Sequence, residues 1–124
     1  MSHRRDDRRL LGNRAEELAA RRLQEEGFEI LDTNVRVGRG ELDIVARKDS
    51  TLYVVEVRSV MKGSVQPIET IDKHKQERLF KAAQQYLQSR VKDFDEFHFI
   101  VAEVLWKQQG TEIRFILDPF PVTS

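Results

Sequence analysis

Two strand-like runs, Glu41 to Arg47 and Thr51 to Arg58, flank the dipeptide Asp49-Ser50. This arrangement limits the fold more than any other stretch of the chain. Asp and Ser side chains bond their own backbone and so favour a turn. The two runs therefore predict an antiparallel hairpin in which facing residues have numbers totalling 99. Side chains alternate across a strand. Leu42 with Val57, Ile44 with Val55 and Ala46 with Tyr53 then share one face, which is apolar and needs a core. The other face pairs Glu41 with Arg58, Asp43 with Glu56 and Val45 with Val54.

Two carboxylates directly across an antiparallel pair stand ~5 Å apart at Cβ and repel unless a cation lies between them. Asp and Glu offer only oxygen, which suits Mg²⁺ or Mn²⁺. Mg²⁺ typically takes one or two carboxylates and completes its shell with water and phosphate oxygens. The alternative is a solvated strand face, ordinary in an antiparallel sheet, with Arg58 paired to Glu41.

The remaining elements follow from periodicity. Residues 1 to 11, with Arg4, Arg5, Arg8 and Arg9 around Asp6 and Asp7, are expected to form a disordered arm, and residues 12 to 124 a single domain. Gly12 to Glu26 places Ala15, Leu18, Ala19 and Leu23 at near-helical steps, and Gly27 stops the helix. Phe28, Ile30 and Leu31 read as a short strand, and Asn34 to Gly40 as a connection. Ile71 to Val91 repeats Leu79, Ala82, Ala83, Tyr86 and Leu87 against a basic face that bears Lys73, Lys75, Arg78 and Lys81. Phe97 to Trp106 and Thr111 to Leu117 are strands, closed by Pro119 and Pro121. The aromatic residues Phe80, Phe94, Phe97, Phe99, Phe115 and Tyr86 sit at core spacing. The order helix, strand, strand, strand, helix, strand, strand predicts an α/β fold, a mixed sheet with helices packed on it.

Composition removes several function classes. The chain of 124 residues has no Cys, which excludes a thiolate metal site, a disulfide scaffold and a cysteine nucleophile. Its 21 Lys and Arg balance 21 Asp and Glu, so any contact with nucleic acid must come from local patches rather than bulk charge. The most apolar run is interrupted by His98 and Glu103 and falls short of the ~20 residues that span a bilayer. The first residues lack a secretory pattern, so the expected location is cytoplasmic.

Gly12 to Ala20 (GNRAEELAA), Gly27 to Leu31 (GFEIL), Asn34, Gly40 to Ala46 (GELDIVA) and Val54 to Arg58 (VVEVR) together resemble the YraN-like family of small bacterial proteins, uncharacterised protein family 0102. So do Lys75, Arg78, Leu79, Ala82, Tyr86 and Leu87, and the closing Ile113 to Phe120. The resemblance covers nearly the whole chain from Gly12. It implies a restriction-endonuclease-like fold, related to Holliday-junction resolvases and to nucleases with an Asp, then Glu-x-Lys, metal-site pattern. Carried over by position, the first acid falls on Asp43 and the second on Glu56, the pair that the hairpin register sets face to face. The helix-one acid falls on Glu16, Glu41 is a further candidate, and Lys75 is implied as a phosphate contact.

Three positions depart from the pattern. Arg58 replaces the motif lysine, and a guanidinium can stabilise charge on a phosphate but cannot take a proton from water. Ala15 stands where the family more often has Gly. His98 takes the place of an Asp in the penultimate strand and reads as a satisfied core residue. The expected function is a Mg²⁺- or Mn²⁺-dependent DNA endonuclease, with branched DNA among its expected substrates. Asp43, Glu56 and Glu16 would hold the metal, Arg58 would act on the phosphate, and Lys73, Lys75 and Arg78 would bind the nucleic acid. Branched DNA would call for a homodimer. The rival readings are a non-catalytic nucleic-acid-binding module of the same fold and a protein-interaction scaffold.

Overall fold

A computed structural model describes residues 3–60, 73–90 and 94–119. Helix α1 (His3–Glu25) leads into three antiparallel strands, β1 (Glu29–Val37), β2 (Gly40–Lys48) and β3 (Thr51–Val60). Helix α2 (Lys73–Arg90) precedes β4 (Glu96–Trp106), which runs parallel to β3, and β5 (Thr111–Leu117) closes the sheet antiparallel to β4. The five strands lie in sequence order in one mixed sheet. The element order and fold class match the sequence reading. Of the expected second helix, Ile71 and Val91 lie outside the described residues, as does Pro121.

The helix ends follow local chemistry. The Phe28 N–H donates to the Leu23 carbonyl at 2.9 Å and the Gly27 N–H to the Gln24 carbonyl at 3.0 Å, with Gly27 at φ 95°. This paired closure needs a left-handed residue, which glycine adopts without strain. At the other end the backbone is helical from His3, so residues 3–11 extend the helix that periodicity starts at Gly12. The segment carries good helix formers, Arg and Leu, with Asp6 in the first turn and no Pro, so a helix nucleated further along can propagate back through it.

The two helices cover opposite faces of the sheet. Ala19 and Leu23 of α1 pack with Ile44, Ala46, Val55, Ile100 and Ala102, while Leu79, Ala83 and Tyr86 of α2 pack with Val45, Leu52 and Val54. A solvated strand face is therefore not what the hairpin presents, and Val45 and Val54 are core residues under α2. Leu42 joins the α2-side cluster although Ile44, two residues on, belongs to the α1-side cluster, so strict alternation breaks at Asp43. Phe80 departs from its expected core position: it packs on Phe97 and Phe99 yet stays 46% exposed. Among the described residues no helix is long and apolar enough to cross a membrane.

Strand β1 is longer than its apolar residues predict, reaching Val37 through a bulge at Leu31, and a two-residue turn at Gly38 and Arg39 replaces the expected connection. This turn brings the start of β2 hard against α2. A Cβ added at Gly40 would lie 3.0 Å from the Ala82 Cβ and 3.2 Å from the Arg78 carbonyl oxygen. Gly40→Ala is therefore expected to push α2 off the sheet and cost roughly 1 to 3 kcal/mol, measured by urea denaturation.

Candidate functional site

The ladder between β2 and β3 keeps the predicted register from Lys48 opposite Thr51 to Ile44 opposite Val55, every pair totalling 99. There it ends. At the next step the Asp43 carboxylate, rather than a backbone carbonyl, accepts the Val57 N–H at 2.8 Å. The Asp43 carboxyl group also reaches Glu56 within hydrogen-bonding distance, so the two acids meet as the register predicts. The expected opposition of Glu41 and Arg58 does not form, because the strands no longer pair there. Glu41 lies opposite Arg36 on β1, and Arg58 opposite Glu103 on β4.

Helix α1 delivers Glu16 to the same place, hydrogen-bonded to both Asp43 and the Asn34 side chain. Asn34 sits in β1 at φ 50°, a left-handed conformation that Asn tolerates better than most residues. Helix α2 delivers Lys75, whose Nζ lies 2.8 Å from Glu56 Oε1. Glu56 is 8% exposed, so this is a largely buried carboxylate with a partner at hydrogen-bond distance. Asp43, Glu56 and Lys75 open onto a cleft of about 310 Å³. Arg39, Gly40 and Glu41 form its rim at the β1–β2 turn, Asp43 and Glu56 its floor, and Lys75, Arg78 and Leu79 its α2 side. Among the described residues, Glu16, Arg58 and Lys73 are not part of the lining, and Glu16 meets the site only through its bond to Asp43.

Burial and the Glu56 charge outweigh the Val57 hydrogen bond and push Asp43 up to about 8, so at neutral pH it is mostly protonated and donates to Glu56. Glu16 also shifts upward, chiefly through burial, opposed by its bond to Asn34 and aided by Glu41. This is a site strained by excess negative charge. Among the described residues no three Asp, Glu, His or Cys side chains converge as a ready ligand set. Two adjacent carboxylates nevertheless match the share of the shell that Mg²⁺ draws from protein. The Lys75 ammonium already places a positive charge on one of them. The donor set therefore fits a hard divalent cation.

Asn34, Arg39 and Gly40 were missed as site residues by sequence reasoning. Their signal was the polar Asn within a strand and the Gly-Arg-Gly-Glu string of residues 38 to 41.

His98 is no core residue. Its Nδ1 lies 2.7 Å from Asp118 and its Nε2 3.1 Å from Glu96, at the partly exposed end of β4. These bonds, Glu96 first and then Asp118, raise its affinity for a proton. A raised histidine contributes stability that is complete below the unfolded value of ~6.5 and is lost as pH rises through the folded one. His98→Gln is expected to flatten the stability profile above pH ~6 by at most about 1 kcal/mol, the range of exposed pairs, when melting is followed from pH 5 to 9.

Fold and cleft define an α/β protein whose central strands part around a pair of carboxylates flanked by lysine and arginine. The chain belongs to uncharacterised protein family UPF0102, whose profile matches residues 15–114. It is 39% identical over 115 residues to a UPF0102 protein of Syntrophomonas wolfei, covering 90% of this chain and 98% of that one. It is 42% identical over 94 residues to one of Kosmotoga olearia, covering 76% and 81%. A third, from Sorangium cellulosum, is 37% identical over 109 residues, covering 85% and 76%.

Proposed function

We propose that the cleft is a metal-dependent phosphodiester-hydrolysing site acting on DNA. The observation that carries this reading is the contact between Asp43 and Glu56, two acids held together at the cost of a carboxyl group pushed up to about 8. A structural role does not need that cost; a cation site does. Asp43 and Glu56 would hold Mg²⁺ or Mn²⁺, with Glu16 joining directly or through water. A bound divalent ion supplies Lewis-acid polarisation of a phosphate oxygen and lowers the pKa of water.

The protein's own groups divide the remaining work. Lys75 and Arg78 bind and orient the phosphate from the α2 side, and Arg39 does so from the turn. The motif lysine that Arg58 replaces in sequence has a spatial counterpart in Lys75, a compact ammonium held against Glu56. Arg58, two residues beyond Glu56 and opposite Glu103, then acts on the field of the site rather than on substrate. The resemblance of the Asp43 and Glu56 pattern to restriction-endonuclease-like nucleases is in line with this division. Branched DNA would require two clefts and hence a homodimer, acting in the cytoplasm.

One observation favours the non-catalytic DNA-binding module: the ion pair of Lys75 with Glu56 occupies one of the two acids. The deciding assay is cleavage of linear, nicked and four-way DNA with Mg²⁺ or Mn²⁺, with Glu56→Gln as control. Metal-dependent products from the wild type alone support the nuclease. Salt-sensitive binding without products from any substrate leaves the binding module. No binding at low salt ends both readings in favour of a protein-interaction scaffold.

A further inference from the structure

A second groove, of about 430 Å³, opens on the far side of the β1–β2 turn and is lined by Arg36, Val37, Gly38, Gln85, Gln88 and Ser89. We propose that it holds a second backbone phosphate of the same nucleic-acid strand whose reacting phosphate lies at Asp43 and Glu56. This proposal rests on the nuclease reading and extends it from a point of cleavage to a strand track.

The two grooves draw on the same two elements, the β1–β2 hairpin and α2. Gly40 lies against Ala82 and the Arg78 carbonyl, and Gly38 against the end of the Gln85 side chain, so the hairpin tip runs along α2. The first cleft takes Lys75, Arg78 and Leu79 from that helix, and the second takes Gln85, Gln88 and Ser89. Some ten residues of helix separate them, about 15 Å at 1.5 Å per residue. Successive phosphates of one strand advance ~3.4 Å along the duplex axis while winding around it, so that distance corresponds to phosphates about two or three steps apart.

Charge and chemistry agree on the occupant. Residues 35–40 and 80–89 contain no Asp or Glu and carry Arg36, Arg39 and Lys81, in a chain whose formal net charge is zero. Neither segment brings a carboxylate to the groove, and Glu41, which pairs in register with Arg36, lines the first cleft instead. Ser89 donates its hydroxyl to the Gln85 carbonyl at 2.8 Å, so the donors left for a ligand are the Arg36 guanidinium and the two glutamine amides. Such groups bond phosphate oxygens and fix register without reading sequence. Among the described residues no aromatic ring lines the groove to stack a base.

The test compares wild type, Arg36→Glu, Gln88→Glu and the double variant on two substrates with Mn²⁺. One is a 20-base-pair duplex. The other is bis(p-nitrophenyl) phosphate, a single diester too small to reach the second groove. Arg36 and Gln88 are both exposed, so melting temperatures should hold. The double variant is expected to raise KM for the duplex about 10-fold or more, to lower the slope of log affinity against log salt by ~1, and to leave hydrolysis of the small diester unchanged. A wild type that cleaves both substrates, with KM and salt slope unmoved in the double variant, overturns the second subsite and spares the nuclease. Loss of small-diester hydrolysis in that variant also overturns it, because the effect is then not confined to the groove. A wild type inert on both substrates and unable to bind the duplex removes the nuclease reading and the track with it.

Discussion

Asp43→Asn is expected to melt roughly 5 to 10 °C higher than the wild type in metal-free buffer at pH 8, and to lose all stabilisation by Mn²⁺. The reason lies in the direction of the Asp43 shift. Its folded value, about 8, stands well above the ~3.9 of an unfolded aspartate, so the folded state binds the extra proton between these limits. The stability tied to Asp43 is complete below pH ~4 and is lost as pH rises towards 8. Asparagine keeps an oxygen for the Val57 N–H but removes the charge that burial and Glu56 oppose. The gain should be near zero at pH 4 and roughly 2 kcal/mol at pH 8. The same change removes an anionic ligand, so binding to the native state no longer adds stability by mass action. In the wild type, metal binding at pH 7 should release close to one proton, which calorimetry in two buffers of different ionisation enthalpy would detect. An Asp43→Asn protein that melts lower than wild type at pH 8, or that still binds Mn²⁺ as tightly, would falsify the strained-pair account.

Leu52→Ala is expected to cost about 3 to 4 kcal/mol, a large part of the stability of a domain this size. Leu52 is 0% exposed near the start of β3, with helix α2 above it through Val45, Val54, Leu79 and Tyr86. Removing three carbons there loses their transfer energy and leaves a cavity. Both flanking elements resist collapse, since β3 is bonded to β2 on one side and β4 on the other. Leu117→Ala is the matching control. Leu117 is 59% exposed on the outermost strand, and its loss should change stability by less than ~0.5 kcal/mol. Chemical denaturation of both variants measures the contrast, and equal costs would show that the described packing does not set stability.

The parts of the fold legible in the sequence are those where one physical rule acts alone. The Asp49-Ser50 turn and a period of two place five ladder pairs of β2 and β3 correctly, and the helical period picks out Leu79, Ala82, Ala83, Tyr86 and Leu87 as the buried stripe of α2. Strand β1 was underestimated because it lies at the sheet edge, where Asp32, Thr33, Asn34 and Arg36 dilute the apolar alternation while the backbone still pairs with β2. Leu42 changed faces because alternation holds only while the ladder lasts, and the ladder stops where the Asp43 side chain replaces a backbone acceptor. The site was legible to the same depth. Register alone joins Asp43 to Glu56. Glu16 and Lys75 arrive from helices on opposite faces, and no local period reports their distance from a strand, so only the family resemblance pointed to them. Arg58 illustrates the converse: two residues from Glu56 along the strand, it faces Glu103 on β4 and lies outside the cleft lining.

The break in pairing at Asp43 also fixes the order in which the site acquires its charges. Glu16, Glu41, Asp43 and Glu56 all precede residue 57, within the α1–β3 segment, whereas Lys75 and Arg78 follow on α2. A chain leaving the ribosome can form the β1–β2–β3 meander from neighbouring contacts, but the parallel β3–β4 pairing must wait for the crossover helix. The acids are thus gathered with Arg39 at their rim but before Lys75 and Arg78 exist. During that interval the nascent meander repels itself at Asp43 and Glu56, and docking of α2 neutralises the patch. Pulse-labelled hydrogen exchange should find amides of β2 and β3 near the Asp49-Ser50 turn protected first, with Val57 protected only when α2 is.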